Sequence, residues 1–307
     1  MVERHGLWIM LECGQCKLQF AHPMRSPDGF YDKVFYAGTS LEEIRHLDAR
    51  AMAGRAKRLG WPVFEFALEW MREEFVGRPV VLDIGCGRGA FLAMASLEGI
   101  DAFGTDIAVE PVQVLRSKGF RVHCGSHDTI PEDWPDPDVV TAFEVLEHVP
   151  DPLGFLRSIH EKFPQARLLL STPSPERWSL KVGLREDWDY PPNHLTRWSE
   201  ASLEVVLRRA GYARVDFVFP EVCGLDVYWI VVGHTLHKLR LRERGKGSVD
   251  GSDTGAARVL SEMLGKARWI RGLYFFGAAV SNRLLGPIAL YFNRKGWCLS
   301  SMLALAQ

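Results

Sequence analysis

No apolar run in this 307-residue sequence approaches the roughly 18 residues that a membrane-spanning helix requires, and no basic segment leading into an apolar core opens it. Excess charge of either sign is also missing. Lysine plus arginine number 37 against 38 acidic residues, a formal net charge of -1, so no global field draws the chain onto nucleic acid or anionic lipid. Cysteine is sparse: six residues, at positions 13, 16, 86, 124, 223 and 298, too scattered for a disulfide framework. These absences lead us to expect a cytoplasmic protein with reduced thiols, in which any contact with nucleic acid or lipid is local. Nucleotide-gripping P-loops are excluded as well, because no Gly-Lys-Ser/Thr follows any glycine cluster.

What is present is a rhythm. VVLDI (80–84), DAFGTDI (101–107), FRVHCG (120–125), DVVTAF (138–143), ARLLLST (166–172) and ARVDFVF (213–219) read as strands. Helical or loop segments separate them, with helices over 62–76, 89–98, 108–118, 152–162 and 200–210, the last capped by Ser199. CLSSMLALA (298–306) supplies a seventh strand. Such alternation predicts an α/β fold, a Rossmann-like, mostly parallel seven-stranded sheet with helices on both faces. Around it we expect an N-terminal cap (1–60), a core (61–220), a helical insertion or substrate lid (221–296) and a closing strand (297–307). Residues 41–59 have one helix's periodicity, with Ser40 as N-cap and Glu43 three residues on.

The chemistry concentrates at VVLDIGCGRGAFL (80–92). Gly85, Gly87 and Ala90 fit a dinucleotide fingerprint, and Asp106 lies where an acid would bind ribose hydroxyls. Asp83, two residues before the first glycine, argues otherwise, since a buried carboxylate repels a pyrophosphate and favours a ligand bringing positive charge. S-adenosylmethionine carries an ammonium and a sulfonium. The stretch resembles the first motif of class I S-adenosylmethionine-dependent methyltransferases, and GTDI resembles their ribose-binding motif. GSHDTIP (125–131) is similar to the adenine-covering loop, and DVVTAFEVLEHVPDP (138–152) to the fourth-strand motif of the small-molecule branch, which includes ubiquinone-biosynthesis O-methyltransferases. The resemblance implies cofactor contacts from Asp83, Gly85, Gly87, Asp106, Ile107, Ser126, His127 and Phe143. Ser126 departs from the pattern by replacing the usual Asp that accepts from the adenine amino group. Further, the resemblance suggests that the segment around Tyr31 and Tyr36 closes over the cofactor.

For the transfer step, His194 in PPNHLTRW and His148 in FEVLEHV are candidate bases beyond the strand ends. Glu144, Glu147 and His148 fall at i, i+3 and i+4, which one helical turn would bring together to hold Mg or Zn. Related O-methyltransferases and small-RNA 2'-O-methyltransferases place an E-x-x-E-H run and a later His at such a metal. The reading is methylation of a small molecule at oxygen, on a sugar, quinone or phenol, or lipid-linked acceptor. The alternatives are RNA 2'-O-methylation, an NAD-binding oxidoreductase and a catalytically silent interaction protein. Cys13 and Cys16 form half of a zinc-ribbon pattern, with His5 or His22 as possible further ligands. The basic and apolar stretch 237–292 suggests peripheral membrane contact or packing on a second subunit in a homodimer.

Overall fold

In a computed structural model of the chain, the structure describes residues 3–31, 34, 36, 41–59, 62–181, 189–221, 286–291, 293–295, 298 and 301–307. Strands in chain order are β1 (Glu3–His5), β2 (Trp8–Glu12), β3 (Gln19–His22), β4 (Val80–Ile84), β5 (Asp101–Asp106), β6 (Val122–Cys124), β7 (Val139–Phe143), β8 (Arg167–Pro173), β9 (Thr196–Arg197), β10 (Val215–Val218) and β11 (Ser301–Ala306). The helices are α1 (Glu42–Arg45), α2 (Ala49–Leu59), α3 (Pro62–Glu74), α4 (Ala90–Leu97), α5 (Val109–Ser117), α6 (Pro152–Lys162), α7 (Trp178–Lys181) and α8 (Glu200–Ala210).

Seven strands form one sheet in the order β10-β11-β8-β7-β4-β5-β6. The five central-to-edge strands β8, β7, β4, β5 and β6 run parallel, while β11 pairs antiparallel to both β8 and β10. Strand alternation sends side chains to two separate cores. Val81, Val139, Leu169 and Leu303 pack with residues of α2 to α5, including Met52, Phe64, Phe91 and Leu115. Their neighbours Leu82, Val140, Leu168 and Met302 pack with Leu156 of α6 and Leu203 and Leu207 of α8. Burial on both faces is why these strands read as nearly continuous apolar runs. At α8, Ser199 and Ser202 form a reciprocal capping box.

Two expectations are corrected. The helix expected over 41–59 is broken into α1 and α2, because Asp48 restarts it: its Oδ1 accepts from Ala51 N at 2.7 Å, satisfying a donor that a continuous helix would have spent internally. Ser40, the expected cap, lies outside the described residues. The N-terminal cap, in which the sequence reading places no strand, contains a small antiparallel sheet in the order β1-β2-β3-β9. Its last strand comes from the PPNHLTRW segment, with Gln19 opposite Arg197 and Phe20 opposite Thr196.

The chain divides into two compact units. One comprises Met1–Pro175, Glu186–Phe219 and Ser301–Gln307, and the other Glu176–Arg185 and Pro220–Ser300. Within the second, Arg177 and Cys298 form an isolated parallel bridge and Lys181 pairs with Glu176 at 2.9 Å. Of the 237–292 stretch expected to meet a membrane or a second subunit, only 286–291 is described; the rest lies outside the described residues. Among the described residues, no helix is long and apolar enough to cross a membrane.

Candidate functional site

Parallel strands deliver their carboxyl ends to one edge, and the site is built there. Between β4 and α4 the chain must reverse sharply, which Gly85, Gly87 and Gly89 permit by adopting left-handed φ of 70°, 53° and 71°. A Cβ at Gly85 would stand 2.5 Å from Val145 Cγ2, so the first glycine is required by space as well as by φ. The Asp106 carboxylate, at the end of β5, pins this loop. Its Oδ2 accepts from Gly87 N at 2.8 Å, its Oδ1 accepts from Ala108 N at 2.9 Å, and Tyr36 donates its hydroxyl toward Oδ2 at 3.5 Å.

Asp83 lies beneath the loop, 3 % exposed, and accepts from Thr141 Oγ1 at 2.8 Å across the β4–β7 pair. Burial pushes its carboxyl up to about 7; the Thr141 hydrogen bond opposes that rise and the Asp106 charge adds to it. Asp83 and Asp106 together wall a cavity of about 830 Å³. Gly85, Gly87, Ile107, Ser126, His127, Phe143, Glu144 and His148 also line it, as do Tyr31 and Tyr36.

The segment after β7 departs from the expected helical turn. Glu144 has φ of 54°, a left-handed kink that interrupts the i, i+3, i+4 register before the short 3-10 turn Leu146–His148. Its Oε1 accepts from Ser171 Oγ at 2.8 Å, anchoring it to β8. Glu144 is therefore absent from the cluster that forms. Instead Glu147 and His148 are joined by His194, their ligand-bearing atoms all within 4.8 Å of one another. Glu147 Oε1 is 3.9 Å from Nε2 of both histidines. His148 donates from Nδ1 to the Asn193 carbonyl at 2.8 Å, and burial lowers its pKa to about 4, the hydrogen bond acting in the opposite direction. The ring is neutral at physiological pH with its Nε2 lone pair free of a proton.

His194 was expected at the chemistry, but His148 lines the cavity and His194 does not. The reason is topological. Leu195 N donates to the Glu147 carbonyl at 2.7 Å and Ala21 N to the Leu195 carbonyl at 2.7 Å, so the PPNH segment is stitched between the N-terminal sheet and the 3-10 turn, with His194 on Glu147. His194 Nδ1 meets Asp189 Oδ1 at 3.6 Å. Sequence reasoning missed Thr141, Ser158, Ser171 and Asn193; a threonine and a serine inside otherwise apolar strands were the legible signal for Thr141 and Ser171.

Cys13 and Cys16 occupy the tip of the β2–β3 hairpin, where Cys13 N donates to the Leu18 carbonyl at 2.9 Å. Among the described residues, neither His5 nor His22 joins them in a three-ligand group. His5 stacks on Tyr190 at 4.8 Å.

Residues 45–216, a little over half of the chain, match the family described as "Methyltransferase domain". Among curated proteins, the ubiquinone biosynthesis O-methyltransferase of Aliivibrio fischeri (strain ATCC 700601 / ES114) is 38% identical over 85 residues, 25% of this chain and 36% of that protein. The same enzyme of Sodalis glossinidius is 32% identical over 112 residues, 33% of this chain and 45% of its own length. The chain thus spans less than half the length of these relatives. A SAM dependent methyltransferase from Archaeoglobus fulgidus shares 21% identity at a TM-score of 0.45, over 79% of this chain and 93% of that one. With the glycine loop, the two strand-end carboxylates and the seven-stranded sheet in place, the chain belongs to the methyltransferase-domain family, within the class I S-adenosylmethionine-dependent methyltransferases.

Proposed function

We propose that this chain binds S-adenosylmethionine in the cavity of about 830 Å³ and transfers its methyl group to an oxygen of a small-molecule acceptor. One observation carries the reading: two carboxylates, Asp83 and Asp106, are buried side by side at the strand ends under the glycine loop. A buried carboxylate is costly alone, and an ammonium or sulfonium offsets the cost where a pyrophosphate would add to it. This favours S-adenosylmethionine over NAD, and a transferase over an oxidoreductase.

When bound, S-adenosylmethionine would be held by Asp83, Asp106 and the loop of Gly85 and Gly87 and would supply an electrophilic methyl group for the acceptor oxygen, with S-adenosylhomocysteine as the other product. Where no metal is bound, Nε2 of His148, whose Nδ1–H is held by Asn193, is the acceptor for the hydroxyl proton. His194 acts as a positioning residue through Glu147 and Asp189. The O-methyltransferase relatives support oxygen as the accepting atom and a quinone or phenol as the acceptor class.

Glu147, His148 and His194 also fit a divalent metal. Two nitrogens and one carboxylate oxygen make a borderline donor set. Ligands of one tetrahedral zinc stand about 3.4 Å apart, so the two 3.9 Å spacings to Glu147 would contract by about half an ångström, within a group whose ligand atoms all lie within 4.8 Å of one another. When bound, such an ion acidifies a coordinated hydroxyl. Glu144 is not in the proposed set.

Calorimetric titration with S-adenosylhomocysteine and with NAD tests the cofactor. Binding of NAD alone would sink the proposal. A labelled S-adenosylmethionine screen of fractionated cell extract then tests turnover: product in the small-molecule fraction is expected. Product in RNA would favour 2'-O-methylation, and binding without any turnover a silent interaction protein.

A further inference from the structure

Two half-exposed cysteines sit together at a place the transfer site does not use. Cys13 and Cys16 are free thiols in the turn between β2 and β3, and neither lines the cavity. Lys17 N donates to the Cys13 carbonyl at 3.1 Å and Cys13 N to the Leu18 carbonyl at 2.9 Å, while Lys17 takes a left-handed φ of 65° to close the loop. The two sulfurs thereby meet. The backbone amides of Cys16 and Gln15 donate to the Cys13 sulfur and the Cys16 thiol adds a third hydrogen bond; all three favour the thiolate and lower the Cys13 pKa, with burial opposing.

Two sulfurs so placed are half of one kind of site and the whole of another. A structural zinc requires four ligands, and among the described residues no histidine, cysteine or carboxylate joins the pair in a group of three. A disulfide requires only two. It forms by attack of a thiolate on a sulfur, which is favoured where the attacking thiol is reachable and ionised and a second thiol already stands beside it. Cys86 is the opposite case: it is buried, and burial raises its thiol well above the usual range.

We infer that Cys13 and Cys16 are a reversible dithiol–disulfide pair, in which Cys13 attacks a low-molecular-weight disulfide and Cys16 resolves the product. In the first step the Cys13 thiolate bonds to one sulfur of the small disulfide, whose sulfur–sulfur bond breaks and releases one thiolate. In the second, the Cys16 sulfur bonds to Cys13, its proton passes to water, and the other small thiolate leaves. Two protein thiols are oxidised and one small disulfide is reduced to two thiols. The bridge staples the turn ahead of β3, whose Ala21 amide holds the Leu195 carbonyl and through it the segment on Glu147. None of this depends on the S-adenosylmethionine reading.

The test equilibrates the full chain, in EDTA, with graded mixtures of oxidised and reduced glutathione, traps the remaining thiols with N-ethylmaleimide and maps every cysteine by mass. In the wild-type protein Cys13 and Cys16 should lose their label together as an internal disulfide, and dithiothreitol should restore both. This should occur at a ratio of oxidised to reduced glutathione at least roughly tenfold lower than the one that modifies the half-exposed Cys124, because closing the pair is intramolecular. Cys16→Ser should stop at a glutathione adduct on Cys13, formed at least roughly fivefold faster than the adduct on Cys16 in Cys13→Ser. The wild-type measurement decides the pair whether or not either variant folds. A wild-type pair that keeps both labels, that carries glutathione adducts in place of the internal bond, or that closes only where Cys124 is also modified overturns the inference. Equal adduct rates in the two variants overturn the assignment of Cys13 as the attacking sulfur.

Discussion

The carboxyl of Asp83 makes a quantitative demand on how ligand affinity varies with pH. In the free protein it titrates at about 7, against an ordinary 3.8. That gap corresponds to about 4 kcal/mol against the ionised form in the empty site, at about 1.4 kcal/mol per tenfold. A ligand ammonium beside it reverses the preference, so only the ionised fraction of the protein is competent to bind. At pH 5 that fraction is about 1 %, and the apparent dissociation constant for S-adenosylhomocysteine should be roughly 100-fold weaker than at pH 9, rising tenfold per pH unit below about 7. Asp83→Asn should bind at least tenfold more weakly at pH 8 and show no such slope. The empty protein should respond in the opposite sense. Because the folded-state pKa is raised, the folded chain holds a proton that the unfolded chain has lost between about pH 4 and 7, and stability falls as pH rises through that window. Asp83→Asn should therefore be as stable as wild type near pH 4 and more stable at pH 8, by up to about 4 kcal/mol. Calorimetric titration and denaturant melts over pH 5 to 9 decide the matter. Equal, flat affinity profiles for the two proteins would refute both the cationic ligand and the burial argument.

Other outcomes follow from individual contacts. Glu147→Gln and His194→Ala should each weaken zinc binding, measured with the metal alone, by at least roughly tenfold, while Glu144→Gln should leave it unchanged; the reverse pattern would reinstate the helical-turn grouping. Gly85→Ala must force a left-handed φ of 70° and a Cβ 2.5 Å from Val145 Cγ2, so chemical denaturation should show a loss of about 1 to 3 kcal/mol, and wild-type stability would mean the loop is looser than described. Backbone hydrogen bonds from Cys16 and Gln15 lower the Cys13 pKa, whereas burial raises that of Cys86. Mass mapping after brief iodoacetamide treatment at pH 7 should find Cys13 alkylated before Cys86, and equal labelling of the two would contradict both environments.

The sheet was legible because its central strands are buried on both faces and say so in composition: VVLDI and DVVTAF carry no outward polar alternation to confuse with a helix. The cofactor side was legible for a related reason. Glycines that need left-handed φ and an acid two residues before them leave a local trace, and Asp83, Gly85, Gly87, Asp106 and His127 all line one cavity. The short N-terminal strands were not, because three to five residues are too few to display a period and their pairing partner lies near residue 196.

The acceptor side shows where local reading stops. In FEVLEHV the spacing of Glu144, Glu147 and His148 is that of a helix face, and helix geometry was the natural inference from it. One backbone angle at Glu144 undoes that grouping. What replaces Glu144 beside Glu147 is His194, 47 positions away by sequence number and delivered by two backbone hydrogen bonds, Leu195 N to Glu147 O and Ala21 N to Leu195 O. Neither bond depends on side-chain identity, so no residue type could have announced it. The N-terminal hairpin is thereby tied to the chemistry: it braces the strand that sets His194 on Glu147, and Glu147 in turn borders the histidine that faces the cavity. Activity and metal affinity should consequently be sensitive to the hairpin, although none of β1 to β3 lines the cavity.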